Sequence, residues 1–266
     1  MEVRIWNQKY TAKSTMFRLY PVGDIHAGTL HCAEDKIKKQ VKIINDDPFG
    51  IWIGMGDYGE FIVGNDPRFD IGVIADWVQP DDIAESQREW LFNLWKPIAS
   101  KCVGLIEGNH EDSMRLHFKG DVQSHLCKDL GVPNLGYSCF VRFRFQRTTT
   151  ESHMFVGHFE HGSGGALTEG GKLNRLKRGL YAFDADLYGM GHLHDIYSHS
   201  PPYITLSHTN EIVSRNRAAA ITGAWVRTYT QGVRANYAEK RGYPPAHLGC
   251  PVFHITPYIR EITVEG

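Results

Sequence analysis

Residues 17–26 read FRLYPVGDIH, an apolar run that stops at a glycine and delivers a carboxylate and an imidazole, Asp24 and His26. The same pattern returns in GIWIGMGDYGE (50–60), CVGLIEGNHE (102–111) and LYGMGHLH (187–194). Short apolar runs bounded by glycine read as buried strands, and glycine lets the chain turn sharply at their ends. Between the first two, residues 34–44 place Ile37, Val41 and Ile44 on one helical face with lysines opposite. Strand, helix and strand in this order predict an α/β fold with parallel strands. Residues 61–80, with Gly64, Asn65, Pro67 and Pro80 as breakers, predict an irregular surface excursion. Pro80-Asp81-Asp82 then opens a helix through Trp95, its acidic first turn suited to the helix dipole.

The second half changes character. Residues 140–146 alternate cleanly, 148–152 read as a hairpin turn, and 153–159 as the returning strand. A glycine-rich loop, 162–171, leads into a basic helix, 172–181. Residues from 203 onward carry short strands and turns, including Tyr243-Pro244-Pro245. The chain has no internal repeat, low-complexity tract or obvious linker. The expectation is one α/β domain over 1–266, with 203–266 supplying strands and capping loops.

Composition narrows the classes of function. The 266 residues carry 29 Lys+Arg against 30 Asp+Glu, which excludes both a basic protein that coats DNA and a disordered acidic tail. No apolar run approaches the roughly 18–20 residues that span a bilayer, and the first twenty residues lack a signal-peptide core. The five cysteines (Cys32, Cys102, Cys127, Cys139, Cys250) are scattered, with no C-x-x-C pair. That speaks against a disulfide framework or zinc knuckle and makes a reducing cytoplasm the expected location. The anomaly is 14 histidines, several beside glycine.

In open α/β sheets, functional groups collect at the carboxyl ends of strands. The candidates are Asp24, His26, Asp57, Asn109, His110, a histidine near 158–161, His192 and His194. Each piece alone has a bland reading: Gly-Asp is a common turn, and Asp-x-His is more often a turn beside a hydrogen-bonded imidazole. Four such endings in one chain, each after an apolar strand, are not bland. Asp and His without Cys suit Mn²⁺, Fe, Zn²⁺ or Mg²⁺. About seven ligands exceed the need of one ion and suit two that share a carboxylate.

The order GDIH, GDYGE, GNHE, H-G, GHLH resembles the calcineurin-like metallophosphoesterases, which share D-x-H, G-D, G-N-H-[DE], H and G-H-x-H. The resemblance covers Asp24 to His194 and implies a two-sheet α/β sandwich flanked by helices, with a dinuclear metal site at the strand ends. By motif, Asp24, His26 and His194 would hold one ion. Asn109, the fourth-motif histidine and His192 would hold the other, with Asp57 bridging. The family's His-Gly step favours His161 over His158; strand alternation sends the two to opposite faces. The ions are expected to be Mn²⁺, with Fe, Zn²⁺, Mg²⁺ or Ni²⁺ as alternatives. Two divalent ions acidify a bridging water and offset charge on the phosphoryl group. The resemblance places His110 where it assists the leaving group, and Glu60 where an acid orients that histidine.

The sequence also bears on the substrate. After Asp57 the protein-phosphatase branch carries GDYVDRG, whereas this chain reads Tyr58-Gly59-Glu60-Phe61, without the arginine. Residues 171–245 hold ten Lys/Arg and five Asp/Glu, locally +5, which suits a polyanion such as DNA or another nucleic acid. Lys172 and Arg175, beside the glycine-rich loop, are the candidate substrate-binding cations. Trp225, Tyr229, Tyr237 and Tyr243 suit base stacking or the core equally. The wording HGSGG…GGKLN weakly resembles family members encoded by phages and prophages. The leading expectation is a phosphodiesterase acting as a nuclease. A phosphomonoesterase or small-nucleotide phosphatase is the alternative, and a non-catalytic metal-stabilised binding protein is a third.

Overall fold

The computed structural model describes residues 1–64, 66, 68–118, 120–207 and 209–266. Two sheets pack face to face. The first has five strands, ordered β13-β12-β2-β3-β4. Its centre, β2 (Phe17–Val22), β3 (Gly50–Gly54) and β4 (Cys102–Leu105), is parallel, and β12 (Val252–Thr256) and β13 (Glu261–Glu265) add antiparallel to it. The second has six, ordered β1-β5-β6-β7-β11-β8. These are β1 (Glu2–Lys9), β5 (Ser138–Gln146), β6 (Ser152–Glu160), β7 (Leu187–Met190), β8 (Ile196–His199) and β11 (Ala218–Thr222). A separate ribbon pairs β9 (Pro202–Leu206) with β10 (Ile212–Asn216).

Side-chain alternation decides which layer each face meets. Phe17, Leu19, Ile51 and Ile53 point between the sheets, where they meet Val141, Phe143, Phe145, Phe159 and Leu187. Tyr20, Val22 and Trp52 point the other way, onto α1 (Glu34–Asp46), α2 (Ile83–Trp95) and α4 (Val122–Leu130). The spaced Ile37, Val41 and Ile44 are indeed the buried stripe of α1. On the far side Leu176 and Leu180 of α5 (Glu169–Ala182) cover Tyr188, Met190, Ala219 and Ile221. The result is the two-sheet α/β sandwich flanked by helices that the motifs imply.

Three elements differ from the sequence reading. α5 begins at Glu169, because the Thr168 hydroxyl caps it by accepting from the Gly171 amide, and Gly170-Gly171 become its first turn. The polar GNHE cluster is the start of a helix, α3 (Asn109–Phe118). β1 is an edge strand paired in parallel with β5. The excursion 61–80 is irregular apart from a single 3-10 turn, Ile71–Val73, among its described residues. Asn65 and Pro67, two of its breakers, lie outside the described residues. No helix among the described residues is long and apolar enough to cross a membrane.

Candidate metal centre

Five strand ends open on one place. Asp24 follows β2, Asp57 follows β3, Asn109 opens α3 beyond β4, His161 follows β6, and His192 and His194 follow β7. Their turns interlock: the Asp24 amide donates to Gly56 O at 2.8 Å, and the Ile25 and His26 amides donate to Asp57 O at 2.8 and 3.1 Å. Five of these residues have left-handed backbone: Asp24 (φ 51°), His26 (50°), Asp57 (52°), His192 (69°) and His194 (50°). Such residues other than glycine are uncommon, and the surrounding contacts must hold them there. Glycine makes the approach possible: a Cβ on Gly108 would sit 2.2 Å from the Asp57 amide nitrogen.

Among the described residues three groups have ligand atoms within 4.8 Å of one another: Asp24, His26 and His194; Asp57, His161 and His192; and, at the edge, His26, Glu60 and His110. In the first, His26 Nε2 is 3.3 Å from His194 Nε2, which is 3.3 Å from Asp24 Oδ1. In the second, His161 Nε2 is 3.2 Å from Asp57 Oδ2 and 3.1 Å from Asn109 Oδ1. Asp57 Oδ2 also lies 3.9 Å from His26 Nε2, so a single oxygen stands between the groups.

The hydrogen bonds around the rim orient the donors. His161 Nδ1 donates to Met55 O at 2.7 Å, which turns the lone pair of Nε2 toward two oxygen acceptors. His26 Nδ1 donates to Glu60 Oε2 at 2.8 Å, which leaves its Nε2 facing another imidazole nitrogen. His192 Nδ1 is buried without a partner among the described residues. Burial opposes a charge on His161, yet Asp57 and Asp24 carry its pKa up to about 10. Burial, with His161 beside it, brings His192 down to about 4 and keeps it neutral, the form that binds metal. Carboxylate, amide and imidazole donors converge here, and this donor set fits divalent ions.

His110 sits at the edge, its amide donating to Asp57 Oδ1 at 2.9 Å and its Nδ1 donating to Glu60 O. Burial disfavours its charge, but Asp57 and Glu60 raise its pKa. Glu60 therefore differs from the sequence reading: its carboxylate faces His26, and its backbone carbonyl is what orients His110. Burial would raise the Glu60 carboxyl, but the His26 bond dominates and holds it at about 2. His161 is in the cluster and His158 is not. His158 points out of the opposite face of β6, stacked 3.8 Å from Phe183 and 5.2 Å from Tyr188 between ring centroids. Lys172 is buried with its ammonium on Asp195 Oδ2 at 2.7 Å. Arg175 donates to the carbonyls of Ser163 and Gly165 and so braces the glycine-rich loop.

The sequence reading assigned no role to Glu111. Its buried carboxylate accepts from the amides of Asp57, Tyr58 and Gly108 at 2.8–2.9 Å, tying the turn after β3 to the turn after β4. The only signal was its place at the end of Gly-Asn-His-Glu. A cleft of about 490 Å³ opens over the cluster. Its walls come from Ile62 and Arg68, from residues 164–167 with Lys172, and from Val226, Arg227, Tyr237, Tyr243 and Pro244. Trp225 belongs to the core. Four of the ten cations in 171–245 are paired: Lys172 with Asp195, Arg217 with Asp184, Arg227 with Asp35 and Arg234 with Asp70.

No family model matches this chain, and no curated protein matches it. Among solved structures it is similar to a conserved uncharacterized protein, a predicted phosphoesterase, from Streptococcus pneumoniae TIGR4. The identity is 10%, the match covers 91% of this chain and 83% of that one, and the TM-score is 0.32. A superposition that loose carries no weight on mechanism, and nothing in it bears on a phage-encoded subgroup. The resemblance to the calcineurin-like metallophosphoesterases rests on the order of the motifs, and in this chain a mixed α/β fold gathers those residues into one His/Asp cluster.

Proposed function

We propose that this protein is a metal-dependent phosphoesterase that hydrolyses phosphodiester bonds, with nucleic acid as the substrate class. The observation that carries the reading is Asp57 Oδ2, poised between two Asp/His groups with His110 beside it. Asp24, His26 and His194 would hold one ion, and Asn109, His161 and His192 the other, with Asp57 shared. Bound divalent ions supply Lewis acidity toward phosphoryl oxygens and acidify water.

The chain's own residues do the rest. Glu60 and Met55 O fix the tautomers of His26 and His161, so both present Nε2 inward. His110 commits Nδ1 to Glu60 O, which leaves Nε2 to hold the proton that the leaving oxygen takes. Asp57 and Glu60 raise its pKa, which favours the protonated form. Tyr237 and Tyr243 line the cleft with ring centroids 6.2 Å apart and offer aromatic surface to a base.

A phosphomonoester or small nucleotide is the second reading, favoured by the paired cations: the locally basic stretch has fewer uncommitted charges for a long polyanion than its count suggests. The test uses purified protein with Mn²⁺ on bis-p-nitrophenyl phosphate, p-nitrophenyl phosphate, and linear single- and double-stranded DNA. Diester and DNA cleavage is the expected result. Monoester-only activity refutes the nuclease reading, and inactivity on all four with metal bound refutes the enzyme.

A further inference from the structure

We infer that the buried Lys172–Asp195 ion pair is a latch that positions His194, making Lys172 a positioning residue for one half of the metal centre. The inference rests on the proposed function, since it assigns a role toward the ions. Lys172 is 5% exposed and belongs to the first turns of α5, directly after the glycine-rich loop that walls the cleft. Its ammonium reaches across to Asp195, the residue after His194. A lysine is buried at a cost unless it is paired, so this contact is a commitment of the fold and not a passing surface pair.

His194 needs such a constraint, because its backbone is left-handed and relaxes unless its neighbours hold it. Its carbonyl accepts from the His247 amide at 3.0 Å, and the next carbonyl, that of Asp195, accepts from the Gly223 amide at 2.8 Å. The Asp195 side chain spans the same turn: Oδ1 accepts from the Ile196 amide at 2.9 Å while Oδ2 takes Lys172. Lys172 is thus the ion pair that ties this turn to α5, beside the apolar cluster that Leu193 shares with Leu176 and Leu180. The group it steadies is Asp24, His26 and His194; the other, Asp57, His161 and His192, meets this turn only at His192, whose amide is held separately by the Asp24 carboxylate.

The experiment is a calorimetric Mn²⁺ titration of the purified apo chain, with urea unfolding measured in parallel. Wild type is expected to take two ions. Lys172→Met should weaken one site by about 10- to 100-fold, the usual effect of removing an outer partner of a ligand, and leave the other intact. Lys172→Arg, which keeps the charge, should restore it. If Lys172→Met does not fold, Lys172→Met/Asp195→Asn leaves no unpaired buried charge and should show the same one-site loss. Unchanged Mn²⁺ binding in a folded variant, or equal weakening of both sites, overturns the latch while the functional reading stands. A wild-type chain that takes up no Mn²⁺ overturns both.

Discussion

Replacing His158 with phenylalanine tests whether the structure separates the two histidines of the fourth motif correctly. His158 is fully buried, neither ring nitrogen has a partner among the described residues, and its ring stacks with those of Phe183 and Tyr188. Burial alone brings its pKa down to about 4, against about 6.5 in the unfolded chain. A group whose folded pKa is depressed contributes fully above the unfolded value and loses that contribution as pH falls toward the folded one. The window is therefore pH 6.5 down to 4. At pH 5 the unfolded chain is almost fully protonated here and the folded chain scarcely so, a loss of about 2 kcal/mol relative to pH 7.5. His158→Phe removes that dependence. The extra ring carbon adds an overpacking cost, but it is the same at both pH values and cancels in the difference. Urea unfolding at pH 7.5 and 5.0, in chelator, is the assay: wild type should lose about 2 kcal/mol more than the variant between the two. Mn²⁺ uptake by the variant should match wild type, whereas His161→Ala should lose an ion. Equal pH dependence of the two proteins, or loss of metal on changing His158, would refute the placement.

Two further outcomes test the centre itself. His110→Ala should keep its metal and lose about 10²- to 10⁴-fold in turnover, more with an alkyl than with a nitrophenyl leaving group; loss of metal, or an equal loss on both esters, removes it from the proton-donor role. Asp57→Ala and Asp57→Gly should both lose metal and activity, but in chelator the glycine variant should be more stable than the alanine one by about 1 kcal/mol. Equal stability by urea unfolding would mean that the left-handed backbone at Asp57 carries no strain.

Much of the centre was legible because its grammar is local. An apolar strand, a glycine and a ligand lie within ten residues of one another, and the sheet order brings four such endings together. The fourth motif was readable only in part, since the strand alternation that separates His158 from His161 depends on where β6 stops. What escaped the sequence is non-local or compensated. β1 pairs with a strand more than 130 residues away, and its mixed charges mask it as an edge strand. The start of α3 doubles as a ligand turn, and its sequence NHEDSMRLHF has no clear apolar stripe. The local count of +5 between 171 and 245 misses two pairings for the same reason. Arg227 and Arg234 find their acids at Asp35 and Asp70, in the distant first third of the chain.

The strained turns and the unpartnered lone pairs are one arrangement. Chain reversal right after a parallel strand would ordinarily carry the next side chain away from the sheet's end. Left-handed backbone at Asp24, His26, Asp57, His192 and His194 keeps each side chain in the gap while the chain turns away. That brings Asp57 and Asp24 up against imidazole nitrogens, and Glu111 is recruited to tie Asp57, Tyr58 and Gly108 by three backbone amides. Burial and the charge of Asp57 push the Glu111 carboxyl up to about 7, so the staple is itself held against electrostatic cost. Nothing in packing alone favours gathering this much negative and lone-pair density among buried side chains. A sandwich that only had to be stable would place apolar side chains at these strand ends. The cost makes sense if a cation offsets it, and by linkage that cation would contribute its binding energy to the fold as well as to the reaction.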